Sequence, residues 1–367
     1  MNMKKFLSVV LMLALSAASG YSQTAAENLP KEIYVEAGRH HVQGIALDRT
    51  AGRMYFSFTT SFIKTDLDGR VLGSIERIQG HLGAMTFNPE DRKVYASLEC
   101  KDDAIGAGLS SFAKGRSMFY VAIIDVDKID RIGMDSENNE AFKIVCVREA
   151  TTDYHLTVFA DVDYEHRYGC AGIDGITIAP KLGKEGGRKY LYVAYGIYGD
   201  VTRNDNNHQV LLRYDFRSLD EHAGTVRFGE FYGEGPKKPL DKYFAYTGNT
   251  EWGVQNLAYD EWSGKMFLAV YRGKKPSFKN YSCFTIDFSE KPSRRTLSDV
   301  PYDRTKHKVI GSADSPVPGF SFKYGSTGLC PVGDGLFYIS ENGLNPDGRQ
   351  YCRAHLYRWD GETFVRL

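Results

Sequence analysis

The chain has 367 residues, and its 46 Lys plus Arg balance 46 Asp plus Glu, so the formal net charge is zero. That balance leaves no electrostatic footprint for nucleic acid, and no later stretch is long or apolar enough to span a bilayer. Aromatic residues make up 13% of the chain, a content that suits strand faces and sugar-stacking surfaces alike and so decides between neither.

The N-terminus reads as an export signal. Lys4 and Lys5 precede a short apolar run from Phe6 to Ala18, and the small residues Ser19 and Gly20 follow. The pattern predicts a signal peptide over residues 1–22, a periplasmic or secreted protein, and one mature domain over residues 31–367.

From there the chain repeats. Each copy starts with a small or polar residue and an apolar run, turns, and continues into a Tyr- and Phe-rich run. The copies are Gln43 to Asp48 with Arg53 to Phe58, Gly83 to Asn88 with Lys93 to Leu98, and Asp174 to Ala179 with Lys189 to Ala194. Gln255 to Asp260 with Lys265 to Val270, and Thr327 to Val332 with Gly335 to Ser340, complete the set. Two further strand candidates follow each copy: Phe62 to Leu67 and Val71 to Ile75, Phe119 to Val126 and Ala141 to Val147, and Gln209 to Phe216 and Thr225 to Tyr232. The last two copies are followed by Cys283 to Phe288 and Arg294 to Leu297, and by His355 to Trp359 and Thr363 to Leu367. Four strands per copy make the blade of a β-propeller, and the fold predicted is all-β with five four-stranded blades. The long interval between Gly83 and Asp174 leaves room for a sixth, so six or seven blades stay open, and a two-sheet sandwich is the competing architecture. The six cysteines permit up to three disulfides, with Cys146 and Cys283 in apolar runs that suit buried thiols.

In a propeller the first strand of every blade lines the channel, and residues two apart on it share an orientation. His41 with Gln43 and His81 with Gly83 therefore face the channel mouth. Asp174, Gln255 and Thr327 continue the ring, and glycines 172, 253 and 325 replace the histidine in the other copies. The pocket is expected on the side of the first two blades. Loops after the second strands add Glu99, Lys101, Tyr195, Tyr198, Tyr271, Arg272 and Glu341 at the same face. The assignment predicted is His41, His81 and Arg272 as catalytic groups. Gln43, Glu99, Lys101, Tyr195, Tyr198, Gln255, Tyr271 and Glu341 would contact substrate. A histidine can move protons near neutral pH, and a cation can hold an acidic sugar. Asp174 with nearby glutamines supplies the hard oxygens that calcium prefers. The run Asn204-Asp205-Asn206-Asn207 lacks the glycine and closing glutamate of an EF-hand, so a plain turn is expected. Nucleophile-elbow, zincin, P-loop and dinucleotide motifs do not stand in a fitting context.

The run Asp174-Gly175-Ile176-Thr177 resembles the innermost-strand run of gluconolactonase-type propellers, and that resemblance implies a divalent metal, calcium, on Asp174. In architecture the whole chain resembles secreted propellers of glycan-degrading bacteria, some of them rhamnosidases or polysaccharide lyases. The resemblance implies an exported enzyme acting on a glycan or glycoside, by hydrolysis or β-elimination, with a small-molecule or oligosaccharide ligand. Two alternatives stay open: a non-catalytic propeller that binds a ligand or partner, and a calcium-dependent lactonase-like hydrolase centred on Asp174.

Overall fold

A computed structural model of the chain describes residues 29–37, 39–104, 106–109, 115–184 and 186–367; the signal peptide expected over residues 1–22 lies outside them. The described strands form five blades. The first is Gly44–Asp48, Arg53–Ser57, Phe62–Asp66 and Val71–Glu76. The second is His81–Asn88, Lys93–Cys100, Met118–Asp125 and Phe142–Cys146. The third runs Cys170–Ala179, Tyr190–Ile197, His208–Tyr214 and Asp241–Tyr246, and carries His307–Ile310 and Ser293–Arg295 on its outer edge. The fourth is Glu251–Asp260, Lys265–Tyr271, Cys283–Asp287 and Gly319–Phe320. The fifth is Leu329–Gly333, Leu336–Leu344 and Gln350–Trp359, with the N-terminal strand Glu32–Glu36 as its outer member and Phe364–Arg366 paired beside it.

Period-two alternation builds the ring. Val94 and Ala96 point into the core shared with the first blade, whereas Tyr95 between them points into the core shared with the third. Five such cores lie between the five pairs of neighbouring sheets. The inner strands approach closely: a Cβ on Gly44 would lie 2.6 Å from the carbonyl oxygen of Gly83 and 2.7 Å from the Cα of Ala84. A side chain at Gly44 would therefore collide with the inner strand of the second blade.

The blade count is five, and the interval that left room for a sixth holds other structure. It contains a strand on the edge of the first blade (Met134–Asp135), the helix Arg148–His155 and the hairpin Val158–Phe159 with Asp163–Tyr164. Three outer strands differ from expectation. Gly224–Thr225 joins the second blade, and Asp241–Tyr246 takes the fourth place in the third blade. Ser293–Arg295 likewise joins the third blade, not the fourth. The fifth blade is completed by Glu32–Glu36, from the far end of the chain, paired in register from Glu32 with His355 to Glu36 with Tyr351. All six cysteines are buried free thiols. Burial raises their pKa values, as at Cys100, which is pushed up to about 12. No described helix is long and apolar enough to cross a membrane.

Candidate functional site

The inner strands of the second, third and fourth blades each break register near their upper ends: between Leu82 and Met85, between Ile173 and Ile176, and between Val254 and Asn256. Such bulges re-aim side chains, and Asp174 and Gln255 lie inside or at these breaks. One residue deeper than Gln255, Asn256 Nδ2 donates to the carbonyl oxygens of Gln43 (3.0 Å) and Ser326 (3.1 Å), tying the fourth blade to the first and fifth. Above these bonds sits a cavity of about 340 Å³.

Its floor is a polar cluster from three blades. His81 opens the inner strand of the second blade and pairs in register with Glu99 on the next strand. Glu99 Oε1 accepts from the backbone N–H of Ile173 at 2.9 Å, and Oε2 lies 2.9 Å from Lys101 Nζ. Gly172 makes room for this arrangement. It holds φ +125°, and a Cβ there would fall 1.9 Å from Glu99 Oε1 and 3.0 Å from Lys101 Cε. Asp174 Oδ2 accepts from Gln255 Nε2 at 3.0 Å, and the same amide donates to the carbonyl of Trp252. Asp174 Oδ1 stands 3.7 Å from His81 Nδ1, a buried nitrogen with no hydrogen-bond partner among the described residues. On the first blade, His41 Nε2 lies 2.6 Å from Gln43 Nε2, and Thr59 Oγ1 donates to the carbonyl of His41.

Burial sets the protonation of this floor. It raises Asp174 well above the usual carboxylate range, and the neighbouring Glu99 adds to the rise, so Asp174 favours its protonated form. Glu99 is also raised by burial, against the pull of Lys101 and the Ile173 amide. For Lys101 burial acts downward, but Glu99 and Asp174 outweigh it and leave the ammonium raised. His81 is pushed down to about 3, by burial first and then by Lys101, His41 and His40, and so stands neutral. His41 is lowered by burial and by His40. The floor thus combines the Glu99–Lys101 pair, an imidazole whose charging burial opposes, and a carboxyl whose ionisation burial and Glu99 oppose.

Aromatic rings form the lip. Trp252 is 42% exposed and Tyr271 is 37% exposed, and both line the cavity. Trp252 takes a left-handed backbone conformation, φ 64°, in the register break that precedes Val254.

Of the residues expected from the sequence, His41, Gln43, His81, Glu99, Lys101, Asp174, Gln255 and Tyr271 converge on this one cavity. It draws on four blades instead of two. Tyr198 is half-buried next to it, its ring 6.0 Å from that of Trp252. Three expected residues are elsewhere. Tyr195 is fully buried, and its hydroxyl donates to Asp153 on the helix Arg148–His155 at 2.9 Å, which makes it an internal anchor. Arg272 is exposed outside the cavity, and its Nε donates to the carbonyl of Asn280. Glu341 lies in the fifth blade, 3.5 Å from His355 Nε2. Alternation explains Tyr195, which one step along its strand turns from the channel into the core, whereas Arg272 lies beyond the end of its strand at Tyr271. His40, Thr59, Ala171 and Trp252 also line the cavity and escape the sequence reading. His40, Ala171 and Trp252 hold one place in the repeat, immediately before the position occupied by His41, Gly172 and Gly253. That alignment was the available signal.

His81, Glu99 and Asp174 bring one donor atom each within 4.8 Å of one another. The set does not fit calcium. Calcium takes six to eight oxygens, whereas here one donor is an imidazole nitrogen and both Glu99 oxygens are engaged by Ile173 and Lys101. The oxygens of the run Asn204-Asp205-Asn206-Asn207 are likewise committed, as the expected plain turn requires. Asn206 Oδ1, Asn207 Oδ1 and the carbonyl of Arg203 each accept from Lys275 Nζ at 2.6 Å.

No protein-family model and no curated protein matches the chain. Among solved structures, hydrazine synthase of Kuenenia stuttgartiensis is similar over 87% of this chain and 84% of its own, at 10% identity and a TM-score of 0.40. A Bacteroides caccae protein of unknown function is similar over 68% of this chain and 78% of its own, at 12% identity and a TM-score of 0.31. The extracellular domains 1-2 of Drosophila Semaphorin 1a are similar over 88% of this chain and 65% of their own, at 11% identity and a TM-score of 0.36. Nothing in these likenesses points to a gluconolactonase-type or glycan-degrading propeller, and they say nothing about chemistry.

Proposed function

We propose that the cavity is the active site of an exported propeller enzyme that hydrolyses a glycoside bond in an uncharged glycan, with Asp174 as the general acid. The observation that carries this reading is the pair at the floor: a buried Asp174, oriented by Gln255, 3.7 Å from an imidazole nitrogen of His81 that has no hydrogen-bond partner among the described residues. A glycoside leaves as an alcohol only if its oxygen receives a proton, and a carboxyl whose pKa is raised by burial is suited to supply it. Asp174 gives its proton to the leaving oxygen as the C–O bond breaks, and water adds to the sugar carbon. The proton lost by the attacking water passes to solvent, and Asp174 regains a proton from solvent before the next turn; His81, 3.7 Å from Asp174, lies on the same side of the scissile bond and shapes the environment of that carboxyl.

Two features favour hydrolysis of a neutral ligand over elimination from an acidic one. The Lys101 ammonium is already paired with Glu99, and Arg272 stands outside the cavity, so neither is free to hold a uronate carboxylate. Trp252 and Tyr271 offer flat apolar surface to the carbon face of a sugar ring.

The test is a screen of the mature protein against neutral and acidic oligosaccharides, with Asp174→Asn and His81→Ala alongside and with EDTA as a separate arm. Hydrolysis of a neutral substrate is expected, reduced about 10²- to 10⁴-fold in Asp174→Asn and unaffected by EDTA. An unsaturated, ultraviolet-absorbing product would replace hydrolysis by elimination. Activity lost to EDTA and restored by calcium would return the lactonase-like alternative. Binding without turnover across the panel would make this a binding propeller.

A further inference from the structure

A row of aromatic rings leaves the cavity at Trp252 and crosses the top of the third blade. The Tyr198 ring stands 6.0 Å from Trp252 at 61°, His166 lies 5.0 Å from Tyr198, and Tyr154 lies 4.4 Å from His166. Two members of the row, Trp252 (φ 64°) and His166 (φ 60°), hold left-handed backbone conformations. Large residues rarely adopt that region, and it persists only where the surroundings impose it. Here they do. The Trp252 carbonyl accepts from Gln255, the amide that also orients Asp174. Arg203 Nη2 donates to the carbonyl of His166. Asn206 Nδ2 donates to the carbonyls of Tyr198 and Asp200, which fixes the loop carrying the Tyr198 ring.

Packing does not account for this cost at Trp252, a residue that remains 42% exposed. The ring belongs to the cavity lip and to the row at once. The cavity, at about 340 Å³, is near the lower limit for small-molecule sites and has no space for an extended chain.

We infer that the ligand is an oligosaccharide longer than the cavity, with its reacting unit over Asp174 and the adjoining unit stacked on Trp252 and Tyr198. The inference rests on the glycoside chemistry proposed above and adds the length and course of the substrate. A sugar ring presents C–H groups on its faces and hydroxyls around its rim. A rigid row of rings therefore contacts the faces at little entropic cost and leaves the hydroxyls in water.

The experiment is calorimetric titration of Asp174→Asn protein, whose turnover is expected to be slow enough for binding to be read, with neutral gluco-, xylo-, manno- and rhamno-oligosaccharides from mono- to hexasaccharide, turnover being assayed in parallel. Trp252→Ala and Tyr198→Ala are introduced separately into the same background. Affinity for the recognised series is expected to rise roughly ten-fold as the second and third units are added, and each aromatic variant is expected to flatten that rise. If Trp252→Ala fails to fold, judged by its melting curve, Tyr198→Ala in its surface loop carries the test. Equal affinity at every length, or an undiminished rise in both variants, overturns the inference. The two readings fail separately. A length-dependent rise with full turnover by Asp174→Asn sinks the acid assignment alone. Loss of turnover in Asp174→Asn without any length dependence sinks the aromatic row alone, and no binding to any series sinks both.

Discussion

A methyl group added at Gly172 would occupy the space of the Glu99 carboxylate, 1.9 Å from Oε1 and 2.7 Å from the ring of Phe119, at a backbone φ of +125° that L-residues avoid. Nothing at the rim can yield, because Glu99 is held from both sides by Ile173 and Lys101. Gly172→Ala is therefore expected to expel Glu99, leave the Lys101 ammonium without its partner, and abolish turnover, with stability lowered by about 1–3 kcal/mol. Gly108, with open space where a Cβ would stand, is the control, and Gly108→Ala should leave both properties intact. Equal activity in the two variants, with melting curves that coincide, would show that Glu99 does not need its seat. The same residue shows where the sequence reading stops. Position 172 reads as a place where two other blades carry His41 and His81, and so as a simple absence of a side chain. In the folded ring the gap is filled by a carboxylate arriving from the neighbouring blade, a contact that no spacing along one chain segment encodes.

Loops that share the upper face are held by side chains instead of by strand pairing, and Lys275 is the clearest case. The residue is 7% exposed, and its ammonium donates to three oxygens, from Arg203, Asn206 and Asn207, each at 2.6 Å. Burial lowers its pKa, with Asp299, Asp205 and Asp200 acting the other way. Lys275→Met keeps the volume and strands three oxygens, so it should destabilise the fold by about 2–3 kcal/mol. Because Asn206 also fixes the Tyr198 loop, it should blunt oligosaccharide affinity as well. Denaturant unfolding that matches wild type would show that water takes over the ammonium's role. At this scale the repeat was legible wherever alternation was strong. The inner three strands of each blade follow the predicted runs, since their residues face a core on each side. The outer strands of the first two blades, Val71–Glu76 and Phe142–Cys146, also follow their predicted runs, but those of the other three do not. Thr225 to Tyr232 alternates as a strand should, yet Asp241–Tyr246 pairs with His208–Tyr214 instead. An outer strand is held on one edge, so long-range fit outweighs its local pattern. The N-terminal strand Glu32–Glu36 is too short to declare itself, and its partner is at the opposite end of the chain.

Across the whole molecule the net charge is zero, so charge repulsion contributes little near neutrality, and the pH dependence of stability comes from buried groups. Five histidines, His41, His81, His166, His208 and His355, have lowered pKa values and pull in one direction, His81 and His208 most strongly. Burial pushes His81 down to about 3 and His208 down to about 4. In the unfolded chain both titrate near 6.5. Between those values the unfolded chain binds protons that the folded ring refuses, so the stability present above about pH 6.5 declines as pH falls toward the folded values. Asp174 works in the other sense. Its folded form keeps a proton that the unfolded chain gives up, so its contribution declines as pH rises. The cavity floor therefore contains opposing terms, and His208, in the third blade away from that floor, isolates one of them. Its Nδ1 is buried without a hydrogen-bond partner among the described residues, 3.7 Å from Asp299 Oδ1. Asp299 favours its charged form, while Arg295 and His307 oppose it. Replacing His208 with Gln removes the ionisation, so wild-type stability should fall more steeply than that of His208→Gln as pH drops from about 7 to 4. Thermal melts of the two proteins at half-unit intervals measure this directly. Parallel curves would mean that Asp299 compensates the burial of His208, and that the acid limb of stability originates at the cavity floor.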